Sequence, residues 1–517
     1  MIEIRHQRGG ATPAHRATQH AAAPRPLRAG AALAAALAAL AGAGAATAAD
    51  GGGGWQQWPA TPRLGYETVK FDDGTKMGLV GTTYLVQPLP GLCVGPAVYG
   101  SASGPYGGLF TVGAEAALCT TLVGPLRLVA GVYAGGGGGG NAPVGGGLML
   151  RPHADLLWDF GLFRAGLSVS HVSFPSGQMG STQLGVIAEV DTGFAALAGA
   201  APAVGGRPRG GIGFDRILAV GGAYRPRGGT LNTNGVPLAS TIGLVGARAE
   251  AALAGPWYLG IEANGAASGG AAGYAELLGT IGAGWPLDAA GALVLGGRVA
   301  LGMGGGGGMP TGGGLLAKAA LDARWRFSPT LALVAEAGWA SAPQGDFGVP
   351  YGNLALQWQL EPAPGAPAQT VRQDWSIGVE QVFNAARTNG PAQSLQQVSL
   401  RYTRFVGEPF YLSGQVQSAY GGDAGAFSVG LFAAGAQWRP APPLELGAEF
   451  AFGAAGGGGV ATGGGFVVKP MAFVGVELSP HWSLRLGGGW FKAVNGDLAS
   501  GVADLTLVYR FDVAGPR

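Results

Sequence analysis

The sequence has little charge and little cysteine, and each shortage excludes a class of protein. Charged residues make up 12% of the 517 residues and the formal net charge is +2, which leaves no strongly basic surface for nucleic acid. Two cysteines, without a cluster of histidines, cannot form a zinc site. From Asp50 onward, no uncharged apolar run reaches the length of a membrane helix. We therefore predict no metal, no cofactor and no nucleic-acid partner.

Glycine and apolar residues are abundant instead. The chain contains 101 glycines, 47% of it is hydrophobic and its mean hydropathy is +0.26. This hydrophobic content, with 9% aromatic residues, argues against a disordered glycine-rich chain. An apolar chain that lacks spanning helices but is rich in glycine and aromatic residues is typical of a membrane β-barrel.

A glycine-rich hairpin occurs three times. The copies occupy Gly135–Gly147, Gly304–Gly314 and Gly456–Gly465. Their closing glycine triplets begin at Gly145, Gly312 and Gly463, which are 167 and then 151 residues apart. A motif at such a period indicates one structural module made three times.

The N-terminal segment resembles a secretory signal. Arg25 and Arg28 precede an apolar stretch at Ala29–Leu40, and small residues follow through Ala49. We predict a signal peptide region at 1–49 and a linker at 50–62; the alternative is an N-terminal anchor helix. Export through this signal would carry the protein out of the cytoplasm.

The rest of the chain alternates with period two in segments of strand length. Three modules are predicted, at 63–192, 212–361 and 374–513. In the third module the predicted strands are Trp375–Phe383, Val398–Phe405, Phe410–Ser418, Phe427–Trp438, Leu444–Phe452, Phe466–Leu478, Trp482–Phe491 and Val502–Phe511. Aligned on the glycine hairpins, the other modules give eight each, so the sequence predicts about 24 strands.

The alternation separates apolar from polar residues. In the last strand Ala503, Leu505, Leu507, Tyr509 and Phe511 share one face, whereas Asp504, Thr506 and Arg510 share the other. An apolar face opposite small or charged residues is the pattern of strands between lipid and a polar interior. Tight connections such as Val123-Gly124-Pro125 contrast with the longer glycine hairpins, which places the hairpins on the cell exterior.

The last strand resembles the assembly signal of Gram-negative outer-membrane β-barrel proteins. The residues that carry the resemblance are Phe511 with Leu505, Leu507 and Tyr509 at every second position before it. The resemblance implies an outer-membrane location, with membrane lipid and the outer-membrane assembly machinery as partners. It implies no particular substrate.

The fold class is therefore an all-β, antiparallel transmembrane β-barrel. We expect a single barrel of about 24 strands built from three eight-strand repeats; the alternative is three tandem eight-stranded barrels. The inferred interior charges nearly balance within each module, which favours small filled barrels, whereas repeat multiplication within one barrel needs no separate closures.

Three cations at the same offset from the glycine hairpins are candidate pore-lining residues. Arg151, Lys318 and Lys469 are each predicted to point inward below the outer rim. In one wide barrel they would form an anion-attracting ring; alternatively, each neutralises a local carboxylate such as Asp155 or Asp322. The glycine runs have two explanations, an inward-folding constriction or a close-packed rim, because no strand–helix context supports a phosphate loop.

Catalysis is not expected. His171 and Ser173 resemble the His-x-Ser pair of lipid A deacylases, but the asparagine expected next is Phe174, and the other modules lack the pair. We predict no catalytic residues.

A disulfide is predicted between Cys93 and Cys119. Each cysteine lies 13 positions from Tyr106, so an unbulged hairpin centred there would place them directly opposite each other. The oxidising periplasm would favour their closure.

Two function classes remain. The first is an outer-membrane channel for passive diffusion of solutes or for export of a polymer such as polysaccharide. The alternative is a non-pore structural or surface protein made of small filled barrels.

Overall fold

The computed structural model describes residues 49–50, 54–71, 73–197, 209–362 and 366–516, and within these ranges the chain consists of strands and loops. The signal peptide predicted at 1–49 lies almost wholly outside the described residues. Within them, no helix is long and apolar enough to cross a membrane.

The first barrel is formed by eight antiparallel strands, each paired with its neighbours in sequence. They are β2 (Trp55–Lys70), β3 (Lys76–Leu89), β4 (Leu92–Ser103), β5 (Phe110–Val123), β6 (Leu126–Gly138), β7 (Met149–Asp159), β8 (Arg164–Phe174) and β9 (Met179–Glu189). β9 returns to β2 over Arg63–Glu67, which closes the barrel. Two short strands, β1 (Ala49–Asp50) and β10 (Thr192–Leu197), pair with the first part of β2.

The second and third barrels repeat this order. The second contains β11 (Arg216–Tyr224), β12 (Ile242–Ala252), β13 (Trp257–Ala266), β14 (Ala275–Pro286), β15 (Leu293–Gly305), β16 (Leu315–Arg326), β17 (Leu331–Ser341) and β18 (Gly348–Gln359). The third contains β19 (Ala368–Ala385), β20 (Gln393–Gly407), β21 (Phe410–Gly421), β22 (Ser428–Ala441), β23 (Leu444–Gly456), β24 (Phe466–Glu477), β25 (Trp482–Ala493) and β26 (Ala499–Pro516). Pairing of β11 with β18 and of β19 with β26 closes them.

The prediction of a single wide barrel is therefore wrong, and the alternative of three eight-stranded barrels is confirmed. The reason lies in the first and last strands of each module. Each first strand pairs along one edge with the second strand and along its other edge with the last strand of its own module. No strand edge therefore remains free to pair with the neighbouring module. An eight-stranded barrel is just wide enough for side chains to fill, which agrees with the charge balance within each module.

The strands confirm the alternation and correct one boundary. All eight strands predicted for the third module form, most of them extended by a few residues. The segment 50–62 is not mainly a linker, because β2 begins at Trp55 and is paired there with β10. The connection predicted at Thr192–Gly211 likewise begins with strand β10.

The outer faces of the barrels are apolar and the inner faces are polar. Large apolar side chains point outward, such as Leu321 at 76% exposure and Leu64 at 59%. The residues beside them in sequence, Asp322 and Arg63, are buried inside. Apolar side chains outside and polar side chains inside are the arrangement that strands between lipid and a polar interior require.

All three glycine hairpins lie at the same end of their barrels. They connect β6 to β7, β15 to β16 and β23 to β24, whereas the opposite end carries short turns such as Gly124-Pro125. We call these the glycine end and the short-turn end. The outside placement of the glycine end remains a prediction.

Cys93 and Cys119 form a disulfide with their Cα atoms 6.1 Å apart, but the predicted register is two residues out. Cys93 pairs with Ala117 rather than with Cys119, so the two cysteines are diagonal neighbours on the inner face. The hairpin is centred on Pro105 instead of Tyr106, since Ser101 N donates to the Leu109 carbonyl across the loop at 3.0 Å. The Cα separation of this diagonal pair still falls in the range that a disulfide spans.

Candidate functional site: the glycine hairpins and the barrel interiors

The glycine hairpin of each barrel packs on the loop between the third and fourth strands of another barrel. The first barrel's hairpin contacts the third barrel, the third contacts the second, and the second contacts the first. Two hydrogen bonds cross these junctions: Gly425 N donates to Gly145 O at 3.1 Å, and Ser101 Oγ donates to Gly313 O at 2.9 Å. Contacts that run head to tail and return to the start make a closed ring.

The junctions bring backbone against backbone at equivalent glycines. A Cβ on Gly138 would lie 2.6 Å from Gly425 O, and one on Gly305 would lie 2.6 Å from Gly108 N. In the third junction, a Cβ on Gly273 would lie 2.8 Å from Gly457 N. A side chain does not fit at these positions, so the glycines permit the close approach of the barrels.

The loop geometry of the hairpin is repeated as well. Gly145, Gly312 and Gly463 have φ values of 58°, 60° and 59°. This left-handed backbone conformation is energetically unfavourable for residues that carry a Cβ atom, so glycine is preferred there. The three copies of the motif therefore encode one turn shape.

The tips of the hairpins close the barrels at the glycine end. Val144, Met309 and Val460 are buried, and each belongs to the apolar cluster inside its own barrel. Of the two explanations for the glycine runs, the inward-folding constriction applies to the tips and the close-packed rim applies to the glycines themselves.

The three candidate cations lie in three separate barrels, on the equivalent strands β7, β16 and β24. Each is buried and paired with glutamate. Arg151 binds Glu67 through two contacts of 2.9 Å, whereas Lys469 Nζ lies 2.7 Å from Glu380 Oε2.

Lys318 has two carboxylate partners. Its Nζ lies 3.0 Å from Glu262 Oε1 and also contacts Glu276. None of the three cations faces the other two across one lumen, because each barrel is closed. The ring is therefore not formed, and the local ion-pair alternative is correct. Its partners differ from the suggested Asp155 and Asp322, which lie further down their strands.

The interior of the first barrel is filled by a buried ion network. Arg63 donates to Glu115 and Glu189 at 3.0 Å each and also contacts Asp155. His153 lies between Glu115 and Asp155, at 3.1 and 3.0 Å. Sequence reasoning missed Arg63 as an interior residue because it was placed at the start of the module; its alternation with the exposed Leu64 was the available signal.

A small cavity remains beside this network. It measures about 20 Å³ and is lined by Arg63, Glu67, Tyr99, Arg151 and Ser168 among others. A volume of this size holds about one water molecule.

The other interiors are filled in the same way. In the second barrel, Arg298 lies 2.8 Å from Glu262 and 2.6 Å from Glu336. In the third, Arg485 lies 3.2 Å from Glu445 and 3.0 Å from Asp374. The sequence placed most of these charges inside, but Asp374 was missed because β19 extends further toward the short-turn end than predicted.

A charged pair at the short-turn end joins the first residue of β8 to Asp191, in the turn after β9. Arg164 donates from Nη1 to Asp191 Oδ2 at 2.7 Å. This hydrogen bond holds the pKa of the Asp191 carboxyl below its usual range. The charges at this end of the first barrel are thus also paired.

The His-x-Ser pair does not form a catalytic arrangement. His171 Nδ1 shares a hydrogen bond of 2.8 Å with Thr182 Oγ1, whereas Ser173 Oγ donates to the Leu150 carbonyl at 3.5 Å. The histidine therefore does not activate the serine. Among the described residues, no group of three His, Cys, Asp or Glu side chains is arranged to hold a metal ion.

The four residues of the predicted assembly signal lie on the outer face of β26 and differ in exposure. Leu505 is 44% exposed, whereas Leu507 and Phe511 are buried at 7% and 3%. Phe511 packs against Phe194 of β10, with ring centroids 5.0 Å apart. The first barrel thus covers the end of the strand in the folded protein. Recognition by assembly machinery remains a prediction.

Solved structures that resemble this chain share little sequence identity with it. No family model and no curated protein matches this chain. Among solved structures, it is similar to OccK11 (OpdR) of Pseudomonas aeruginosa, with 13% identity over 88% of this chain and 96% of the other and a TM-score of 0.21. It is also similar to the siderophore receptor PiuA of Acinetobacter baumannii, with 7% identity over 88% and 82% and a TM-score of 0.28. At such TM-scores, the fold assignment rests on this chain's own strand pairings.

Proposed function

We propose that the protein is an outer-membrane surface or structural protein whose three barrels are closed to solutes. The observation that carries this proposal is that each barrel interior is filled at two levels. A buried ion network fills the middle, and the tip of the glycine hairpin enters the apolar cluster at the glycine end. Apolar outer faces and the short turns at the opposite end support an outer-membrane location.

Filled interiors disfavour diffusion through an individual barrel. An ion or sugar would have to displace paired charges such as Arg298 and Glu336, and breaking a buried pair is costly. Polymer export would need a wider lumen than eight strands enclose. The non-pore class therefore fits the interiors better than the channel class does.

Planar-bilayer recording tests this proposal. We expect the wild-type protein to leave bilayers without conductance steps, because paired charges fill the interior of each barrel among the described residues. A variant with Glu262→Ala, Arg298→Ala and Glu336→Ala removes both signs of charge from the second barrel and should conduct, since water can fill the vacated space. Folding of both proteins is checked by the shift of unheated samples on gels. Stable conductance by the wild-type protein would contradict the proposal and favour the diffusion channel.

Thiol labelling of intact cells tests the orientation. We expect Asn141→Cys, at an exposed hairpin tip of the glycine end, to react with an impermeant maleimide. Leu162→Cys is the matched control, since Leu162 is 88% exposed in a turn at the short-turn end. It should react only after lysis. The reverse pattern would place the glycine end in the periplasm.

A further inference from the structure

The first barrel is closed by a shorter strand ladder than the other two barrels. Among the described residues, β2 and β9 share five register pairs, between Arg63–Glu67 and Gly185–Glu189. The closing ladder has nine pairs between β11 and β18 and fifteen between β19 and β26. Both strands of the first barrel continue past the last pair, because β2 runs to Lys70 and β9 begins at Met179. The seam, the line along which β2 and β9 meet, is therefore incomplete toward the glycine end.

A side chain replaces a strand partner where this ladder ends. Lys70 N donates to Ser181 Oγ at 3.1 Å, so a hydroxyl rather than a carbonyl accepts from this backbone amide. In the second barrel the backbone pairing continues past the ladder, since Arg225 N donates to Pro350 O at 3.0 Å. Segments held by few backbone hydrogen bonds open locally at a lower free energy than the strands around them. The glycine-end part of the β2–β9 seam is thus the weakest part of the three closing seams.

The small cavity of the first barrel lies at the incomplete seam. On its outer side it is lined by Tyr66 and Val186, a ladder pair of β2 and β9. On its inner side it is lined by Glu67 and Arg151, which are buried and paired. A Cβ added to Gly65 would meet no atom closer than 3.6 Å, so the missing side chain leaves this space open. Only the strand wall beside the cavity separates the buried pair from the outer face.

Polar side chains flank the incomplete seam on both faces of the wall. On the outer face, His171 Nδ1 shares a hydrogen bond of 2.8 Å with Thr182 Oγ1. On the inner face, Gln183 Nε2 donates to Ser170 Oγ at 2.8 Å, and Ser170 Oγ donates to Glu67 at 2.5 Å. Water that entered between the strands would therefore meet several hydrogen-bonding groups, which a buried water requires.

The interior beyond the cavity is closed toward the short-turn end. An apolar cluster fills the barrel there, and it contains the disulfide together with the buried side chains of Leu85, Val129 and Leu157. Space lined by apolar side chains stays dry. An opening in the side of the barrel would therefore give access to the interior without a path to the other membrane surface.

We propose that the first barrel opens sideways between β2 and β9 at the glycine end and admits water and small polar molecules to the Arg151–Glu67 pair. Opening separates Thr68–Lys70 from the facing part of β9, and it breaks the hydrogen bond from Lys70 N to Ser181. The second and third barrels stay shut, because their closing ladders are longer. The inference goes beyond the proposed function, since a barrel that opens on one side only still conducts nothing.

Hydrogen exchange of the folded protein in detergent micelles, resolved by mass spectrometry of peptides, tests the opening. We expect Thr68–Lys70 and Met179–Leu184 to exchange about tenfold faster than the corresponding segments of the second barrel, because local opening exposes their amides. Those corresponding segments are Ala223–Arg225 and Phe347–Gly352.

A serine substitution tests whether the seam controls this exchange. Ser181→Ala removes the acceptor of Lys70 N and should speed exchange at the seam about fivefold, the equilibrium effect of one lost hydrogen bond. Ser376→Ala is the matched control, because Ser376 is a buried serine of β19 that lies within the closing ladder of the third barrel. It should change exchange at the β2–β9 seam by less than about twofold.

A thiol on the inner face of each closing strand tests access to the interior. Gln183→Cys on β9 should react with a small charged methanethiosulfonate about tenfold faster than Asn353→Cys on β18, since only β9 borders an incomplete seam. The two positions are matched, because each amide side chain donates a hydrogen bond inside its barrel, Gln183 to Ser170 and Asn353 to Glu336. Ser181→Ala in the Gln183→Cys background should raise the rate about fivefold.

Equal exchange in the two barrels, or equal reactivity of the two thiols, would overturn the proposal. Faster exchange without a faster thiol reaction would show that only the strand ends fray, which also contradicts a side opening. Gel shift of unheated samples confirms that each variant is folded, and the comparison of exchange between barrels needs only the wild-type protein. Conductance in planar bilayers would contradict the proposed function without changing these rates, so the two proposals fail separately.

Discussion

Lys469→Met is expected to lower the free energy of unfolding of the third barrel by about 3–5 kcal/mol, the usual cost of leaving one member of a buried ion pair unpaired. Lys469 and Glu380 have side-chain exposures of 0% and 1%, and their charged atoms lie 2.7 Å apart. Lys469 donates to Glu380 Oε2, and Glu380 Oε1 has no hydrogen-bond partner among the described residues. The variant would therefore bury a carboxylate without its countercharge.

Urea unfolding in lipid vesicles, followed by tryptophan fluorescence, measures this loss. Glu380→Gln in the Lys469→Met background should recover a large part of it, because a neutral amide is cheaper to bury than a carboxylate. Lys492→Met removes an exposed cation from the neighbouring strand and should change stability by less than about 0.5 kcal/mol. An equal loss in both lysine variants would contradict the role of the buried pair.

Gly456→Val is expected to separate the third barrel from the second while both stay folded. A Cβ at this position would overlap the backbone at Gly273, and it meets no closer atom of its own barrel. Overpacking of a tight contact costs about 1–3 kcal/mol. Here the backbone itself must move, so the clash is relieved by parting the two barrels.

Distances between spin labels on the two barrels measure this effect. We expect a single narrow distance distribution in the wild-type protein and a broader, longer one in Gly456→Val. Gly430→Val is the matched control, because Gly430 lies on the exposed face of β22 with no atom within 4 Å of an added Cβ. A narrow distribution in Gly456→Val would show that the glycine contact does not hold the barrels together.

The sequence identified strands well because strand alternation is a local property. In β26, Leu505 and Asp504 differ in polarity because one faces outward and the other inward, and both preferences are visible in the residues themselves. The disulfide was found for the same reason, since Cys93 and Cys119 lie on neighbouring strands. Its register was missed because a hairpin loop can be centred on Pro105 or on Tyr106 without changing the strand pattern.

Interior charges were also predictable, but their partners were not. Alternation places Lys318 inside its barrel, yet Glu262 and Glu276 come to it from β13 and β14, across the interior. Asp322, which is nearer in sequence, lies four residues along the same strand, two periods of the alternation away. Proximity in sequence therefore suggested the wrong carboxylate as the ion-pair partner of Lys318.

The sequence by itself determined the all-β class, the three modules, the two faces of each strand and the inward position of the cations, because these follow from period-two alternation and from a repeated motif. Only the tertiary structure decided that each module closes on itself and that the glycine hairpins join the barrels in a ring. Eight-strand and 24-strand closures share the same local pattern, and they differ only in whether β2 pairs with β9 or with a strand of another module. The packing role of the glycines could likewise not be predicted from the sequence, because atoms that would clash with a side chain at Gly138 or Gly305 belong to a different barrel.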